Sequence, residues 1–351
     1  MCARDASTFA AQRLQQSAGV RALVVTALLV ATACSGGAGP GPAAGASGSA
    51  PAGAKAVWPL RGGDAPNADA TKRRPVVVRV PNDPAARPQA GLGAADLVFE
   101  MLVEGGITRY AVVFHSQDAE KVGPIRSARL SDLHYMPMLR GILAHVGAQG
   151  TVLQRIRDAA KSGRFIDVDQ FEHASAFDRV SERAAPQNVY TSTKRIREAA
   201  KDDAKVDVPP LAFGTAPGGT AFTSFVVPYS GTTRVEYTAQ SSGFKRAQGG
   251  QPTVDDATKQ EVTPTNVVVI KTEITEVPGL VEDEHGSLSL EIRSTGTGPA
   301  VVLSDGKRFN GTWERNGDGN YSFKDAGGAA IALRPGLTWI HVVPLSFELG
   351  T

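Results

Sequence analysis

From about Pro210 to its end the chain is cut into short β-rich runs: "TSFVVPYS", "TRVEYTA", "GFKRAQ", "NVVVIKTEI", "LSLEIRS", "AVVLSDGKRFNGTWERN", "NYSFKD" and "TWIHVVP". Gly, Asn, Asp and Ser separate them. Runs of this length between turn residues predict antiparallel strands. Asp305-Gly306, Gly327-Gly328 and Pro335-Gly336 supply the turn chemistry. No repeat of fixed period is present, which argues against a propeller or solenoid.

Upstream the pattern mixes strands with helices. "RPVVVRV" (74–80) reads as a buried strand, and "PNDPAARPQAG" (81–91) as a loop. Residues 96–116, "DLVFEMLVEGGITRYAVVFHS", predict a hairpin closed by a glycine-containing turn. If that turn pairs Glu104 with Arg109, Glu100 lies opposite Val113, and Arg109, Ala111, Val113 and His115 share the face of the two carboxylates. In "VGPIRSARLSDLHYMPMLRG", Pro124 suits a first helical turn, which puts Arg126, Ser127 and Arg129 at a helix N-terminus. "GILAHVG" predicts a short strand. "TVLQRIRDAAKSG" and "TSTKRIREAAKDD" predict amphipathic helices, the second capped by Thr191 or Ser192. The whole predicts an α+β fold: a mixed α/β N-terminal domain at 57–208 and a smaller antiparallel β-rich C-terminal domain at 209–351.

At 351 residues the chain exceeds the ~250–300 at which single cores stop growing. Its first 33 residues carry Arg4, Arg13 and Arg21, then an apolar run at 22–30 and "ATAC" at 31–34. This is an export signal, with an apolar stretch too short to remain as a spanning helix. Cys34 and the Gly/Ala/Ser/Pro tract at 35–54 follow. Small residues, a cysteine and a flexible tether (34–56) resemble the lipobox of bacterial lipoproteins, in which that cysteine is lipidated and anchors the protein outside the cytoplasm. An ordinary cleaved signal that releases the protein is the alternative. Cys2 lies in the removed segment, so the mature chain can form no internal disulfide and no cysteine-ligated metal site. Removing Arg4, Arg13, Arg21 and Asp5 from 37 basic and 35 acidic residues leaves 34 of each, which argues against a nucleic-acid partner.

"RPVVVRVPNDPAARPQAGLGAADLVFEMLVEGGITRYAVVFHSQ", followed by "VGPIRSAR" and "HVGAQG", resembles the YerB-like lipoproteins, the bacterial family called domain of unknown function 3048. "DGKRFNGTWERN" and "RPGLTWIHVVP" resemble that family's smaller second domain. The likeness spans roughly residues 57–345. "HVGAQG" stands where the family carries a turn richer in glycine and serine. The resemblance implies a membrane-attached, extracytoplasmic location and names no activity.

Several residue groups invite chemistry. Glu100 and Glu104 could act as acid and base on an envelope glycan, but four residues along a strand separate them by roughly 13 Å, outside the ~5–9.5 Å of glycosidases. The bland reading pairs Glu104 with Arg109 and leaves Glu100 facing solvent. Arg126, Ser127 and Arg129 form an anion clamp, with Glu100, Glu104, Arg109 and His145 completing the candidate site; alternatively these arginines are internal partners of the carboxylates. Asn82 and Arg87 in the Pro-rich loop are secondary candidates. No histidine pair has ligand spacing and no serine sits in a nucleophile elbow, so neither a metal nor a cofactor is expected. The preferred function is a binding or assembly factor at the cell envelope, for an anionic polymer or a protein partner. A hydrolase using Glu100 and Glu104, and a scaffold with no ligand, are the alternatives.

Overall fold

The computed structural model describes residues 55–230 and 233–350; the predicted signal, Cys34 and nearly all of the tether lie outside them. The described residues contain an eleven-stranded mixed sheet. Its N-terminal half comprises β1 (Val76–Pro81), β2 (Leu97–Leu102), β3 (Thr108–Phe114), β4 (Ile142–His145) and β5 (Ile166–Asp169). β1 runs antiparallel to β3 and parallel to β4. Covered on both faces, all six of its residues are buried, which accounts for a near-continuous apolar run in place of alternation.

The sheet does not end with the first half of the chain. The strand Thr338–Pro344 pairs with β2 on one side and Asn266–Thr272 on the other, and both pairings are parallel. The expectation of purely antiparallel strands after residue 209 is corrected here. "TWIHVVP" is buried over its first six residues, and such a strand is stable in the middle of a sheet. Beyond Asn266–Thr272 the sheet continues antiparallel through Gly296–Ser304, Lys307–Arg315 and Ser322–Asp325.

One face of this sheet, with Val77, Phe99, Ala111, Val268 and Ile340, packs under α1 (Asp132–Leu139) and α2 (Gly150–Ala160). The opposite face has two coverings. α3 (Thr193–Ala200) places Ile196 with Val78, Val98 and Val112, while a four-stranded sheet contributes Phe225, Tyr237 and Phe244 against Val267 and Val269. Fully burying each such aliphatic or aromatic side chain contributes ~1.5–3 kcal/mol, so these layers hold the fold. Ser192 caps α3 by accepting from the Arg195 amide, as the sequence predicts.

Two local expectations are overturned. The first is the helix start. Residues 123–131 do not open a helix, and α1 begins only at Asp132. The reason is competition for backbone groups: the Arg126 amide donates to Arg79 O at 2.9 Å, Val146 donates to Arg126 O at 3.1 Å, and Ala128 donates to Gly147 O at 3.0 Å. A helix would forfeit these bonds.

The second is the hairpin register. Leu102 lies opposite Thr108, Met101 opposite Arg109 and Glu100 opposite Tyr110. The turn is wider than expected: Val103 donates to Ile107 O at 2.9 Å, with Gly105 and Gly106 at φ 71° and 70°. Only glycine takes two such angles in succession without strain. The displacement is an odd number of residues, so it sends Arg109 to the face opposite Glu100.

Candidate functional site

The residues expected to form one site are therefore divided into two clusters, one on each face of the β2–β3 hairpin. On the α1 face, Arg79 from β1 and Arg109 from β3 meet Glu104 from the turn and Arg126 and Arg129 from the extended segment. Asp132, at the start of α1, and Glu282, next to the strand Ile274–Val281, complete the cluster. Arg129 donates from Nε to Glu104 Oε2 at 2.8 Å and from Nη2 to Glu104 Oε1. Arg109 donates to Ser127 O at 2.9 Å, and its Nη2 lies 3.7 Å from Glu104 Oε1. Ser127 thus contributes its carbonyl.

Four guanidiniums meet the carboxylates of Glu104, Asp132 and Glu282 here, and Asp83 acts on Arg126. Arg79 and Arg109 are buried, and burial depresses both pKa values. Asp132 partly offsets this for Arg79, while repulsion from Arg129, Arg79 and Arg126 deepens it for Arg109. Burial also lowers Arg126, against the attraction of Asp83. Burial pushes the Glu104 carboxyl up, but the bonds and charge of Arg129, with Arg109, bring it below its ordinary value. Arg79 is the least compensated member. It is fully buried, its Nε lies 3.5 Å from Asp132 Oδ2, and none of its guanidinium nitrogens makes a hydrogen bond. Arg126 is only partly buried and its side chain makes no hydrogen bond or ion pair among the described residues.

On the other face Glu100 does not meet solvent; it is fully buried and saturated. Its Oε1 accepts from Thr108 Oγ1 at 2.9 Å and Asn82 Nδ2 at 3.2 Å, its Oε2 from Arg246 Nη2 and Trp339 Nε1, each at 2.8 Å. Burial would raise its pKa, but the charge and hydrogen bond of Arg246 and the hydrogen bond from Trp339 bring it below its ordinary value. The adjoining histidine can be assigned a tautomer. Tyr229 OH donates to Glu100 O at 2.8 Å, so at 2.9 Å it must accept from His341 Nδ1–H. His341 Nε2 then accepts from Tyr237 OH at 2.7 Å. The ring is neutral, because burial, opposed by Glu100 and aided by Arg246, pushes its pKa down to about 4.

Beside this network lies a cavity of about 310 Å³ whose lining includes Arg87, Pro88, Tyr110, Arg246, Gln248 and Pro252. Of the secondary candidates, Asn82 belongs to the Glu100 network and Arg87 to this cavity. His145 belongs to neither. It ends β4, with Nδ1 2.8 Å from Gly147 O and Nε2 2.7 Å from Asp167; burial opposes its charge, but Asp167 raises its pKa. Among the described residues no three His, Cys, Asp or Glu side chains are placed to hold a metal ion, and no helix is long and apolar enough to cross a membrane.

Sequence reasoning missed Arg79, Asp132, Glu282, Arg246, Trp339 and His341. One signal was present: Arg79 is the only charge in "VVVRV", and a charge in a strand buried on both faces must have a purpose. "GFKRAQ" held another, since Phe244, Arg246 and Gln248 alternate and are all buried.

The model of the family described as "Protein of unknown function (DUF3048)", N-terminal domain, matches residues 62–206, and that of its C-terminal domain matches 225–340. "Putative lipoprotein YerB" of Bacillus subtilis (strain 168) is 33% identical over 285 residues, covering 78% of this chain and 82% of its own. The crystal structure of the YerB protein from Bacillus subtilis aligns with a TM-score of 0.72 and 29% identity, over 85% of this chain and 100% of that one. With both family domains matched in order over most of its length, the chain belongs to the DUF3048 family.

Proposed function

We propose that this protein is an extracytoplasmic lipoprotein, held at the membrane by a lipid on Cys34 and the tract at 35–54, that binds an anionic group of an envelope polymer at the Arg79–Arg109–Arg126–Arg129 cluster. The anchor rests on the cysteine, the tether and the lipoprotein name of the YerB relative. The N-terminal domain (57–208) supplies the four arginines, and the C-terminal domain (209–351) closes the cluster through Glu282.

The observation that carries the reading is Arg79: a fully buried guanidinium with no hydrogen-bond acceptor, its one carboxylate, Asp132, lying 3.5 Å away. Leaving such a charge unsatisfied is costly, and an anion entering the cluster would supply an acceptor. Recognition of this kind needs no turnover. Glu100 is saturated by donors and Glu104 is held by Arg129, so neither is poised as a general acid. A scaffold role has one specific observation in its favour, the two-point bond between Glu104 and Arg129, which fastens the hairpin turn to the extended segment.

The test is titration of the purified chain with phosphate-bearing envelope polymers, anionic-lipid vesicles and inorganic phosphate, beside the Arg126→Ala variant. Because the Arg126 side chain makes no hydrogen bond or ion pair among the described residues, the variant should keep most of its stability and lose saturable binding. Equal binding by both proteins, or binding by neither, would remove the proposal and turn attention to a protein partner.

A further inference from the structure

The cavity on the Glu100 face is separate from the arginine cluster, and its chemistry differs. It forms where the loop at 84–91 meets the strands Gly243–Gln248 and Gln251–Pro252, over the ring of Tyr110. Its volume of about 310 Å³ is at the lower end of the range for small-molecule pockets. Pro88, Pro252, Val254 and the Tyr110 ring make its walls largely apolar.

The polar groups in the lining offer donors that the fold does not use. Gln248 is buried; its Oε1 accepts from Asn82 Nδ2 at 2.9 Å and Arg246 Nη2 at 3.2 Å, while its Nε2 has no partner. Arg246 is buried too. Its Nη1 donates to Thr253 Oγ1 at 2.6 Å and its Nη2 to Glu100, yet its Nε has no partner. Arg87 is partly exposed at the cavity's edge. Its Nε makes one long bond, 3.5 Å to Asp83 O, and both Nη groups are without protein acceptors. Buried polar groups in folded proteins are normally hydrogen-bonded; Arg246 Nε and Gln248 Nε2 are unpaired but withdrawn from the surface, so the accessible unused donors of this wall are the Nη groups of Arg87, which call for a ligand that accepts.

Charge then narrows the ligand. The Arg246 cation is already neutralised by Glu100, which lies behind it at 2.8 Å. Arg87 is the one cation of the lining without a carboxylate partner, so the cavity balances a single negative charge. A phosphate dianion would leave a surplus charge facing Glu100. A carboxylate carries the right charge, and its two oxygens match the parallel N–H groups of a guanidinium. We infer that this cavity binds a small monocarboxylate with an apolar body, its carboxylate held by the Arg87 guanidinium and its body against Pro88, Pro252 and Tyr110. The acid could be a free small molecule or the C-terminal residue of a peptide. Both present the same group.

The fold supplies its own reporter, since the Arg246 guanidinium lies 4.3 Å from the Trp339 ring centroid and Trp339 meets Tyr110 edge to face at 5.2 Å. The experiment is titration of the full chain, followed by tryptophan fluorescence and calorimetry, with benzoate and N-acetyl-alanyl-alanine. The corresponding amides, benzamide and N-acetyl-alanyl-alanine amide, serve as uncharged controls. Benzoate stands for the free acid and the dipeptide for a peptide terminus. At least one acid should bind saturably at concentrations up to about 10 mM, and its amide at least tenfold more weakly, a difference of about 1.4 kcal/mol.

Two variants locate the site without disturbing the Glu100 network. Arg87→Gln should weaken the acid about tenfold or more, and Val254→Trp should abolish binding by filling the cavity. Arg126→Ala, which disables the other cluster, should leave acid binding unchanged, so the two proposals fail separately. Absence of saturable binding by both acids overturns the inference, as does acid binding that survives Val254→Trp or equal binding of acid and amide. A chain that unfolds on Val254→Trp would be replaced by Val254→Phe, with the same outcomes.

Discussion

Glu100 and Arg246, 146 residues apart in the chain, meet at 2.8 Å with both side chains withdrawn from solvent. The pair fastens the N-terminal hairpin to the four-stranded sheet, and each partner protects the fold from the other's charge. Removing one partner of a buried pair typically costs ~3–5 kcal/mol, whereas replacing both by apolar groups of similar volume costs far less. Arg246→Met should therefore lower the unfolding free energy by about that amount, and Glu100→Leu/Arg246→Met should recover much of it. Urea unfolding of the three proteins, at unchanged m-value, decides the point.

Stability should fall with acid in a defined window. His341 and His115 are both buried, and burial pushes each from an ordinary value of 6.5 down to about 4, with Arg73 adding to the shift at His115. In the unfolded chain these rings take up a proton near pH 6.5, while in the fold they resist until about 4. The folded state is therefore penalised as pH drops between those values, and stability rises with pH across the same interval. At about 1.4 kcal/mol per pH unit, a shift of this size is worth roughly 3 to 3.5 kcal/mol for each ring across the whole interval. Glu100 and Glu104, both lowered, add to the loss only as pH falls below about 4.5. Asp96, which burial raises, and His145, which Asp167 raises, work in the opposite sense. Urea midpoints at pH 7 and pH 4.5 should separate widely, and His115→Gln should narrow the gap; an unchanged gap would refute the assignment.

Gly105 and Gly106 can be tested through backbone angle alone. A Cβ at Gly105 would meet nothing within 4 Å, and one at Gly106 would only touch Ser230 Cβ at 3.8 Å. Any cost of alanine there comes from the left-handed angle, ~1–2 kcal/mol at each position. Thermal unfolding of Gly105→Ala and Gly106→Ala should show two comparable losses, and Gly105→Asn a smaller one.

Ligand linkage gives a separate check on the arginine cluster. A group that binds only the folded chain stabilises it by RT ln(1 + [L]/Kd), about 2.7 kcal/mol at a hundred times Kd. Inorganic phosphate should raise the melting temperature of the native chain. Arg79→Met leaves the buried Asp132 carboxylate without its cation and should lower stability, but the folded variant should also lose the phosphate-dependent rise, which is the readout here. An equal rise in Arg79→Met would show that phosphate acts elsewhere.

Much of the architecture was legible because it depends on short-range chemistry. "VVVRV" can only be a strand with two covered faces, Ser192 announces a helix start, and the β-branched runs separated by Gly and Asn mark the later strands. Cys34 and the tract after it carry the case for an anchor with no help from the fold. Glu100, Glu104, Arg109 and Arg129 were picked out as charges worth explaining, and the structure engages all four. Their grouping was not legible. The period of two in a strand makes the assignment of faces depend on the register of the turn, and two glycines allow several turns whose energies differ little.

What the sequence by itself determined is therefore composition within each segment: which runs are strands, where helices are capped, and which charged residues sit in apolar surroundings. Only the tertiary structure decided that Thr338–Pro344 lies parallel between Asn266–Thr272 and β2, that residues 123–131 remain extended, and that Glu100 and Arg109 face opposite ways. Each of these outcomes rests on hydrogen bonds and buried contacts between residues distant along the chain. Local propensity contributes a few tenths of a kcal/mol per residue to such choices, whereas an unsatisfied buried backbone group costs several times that.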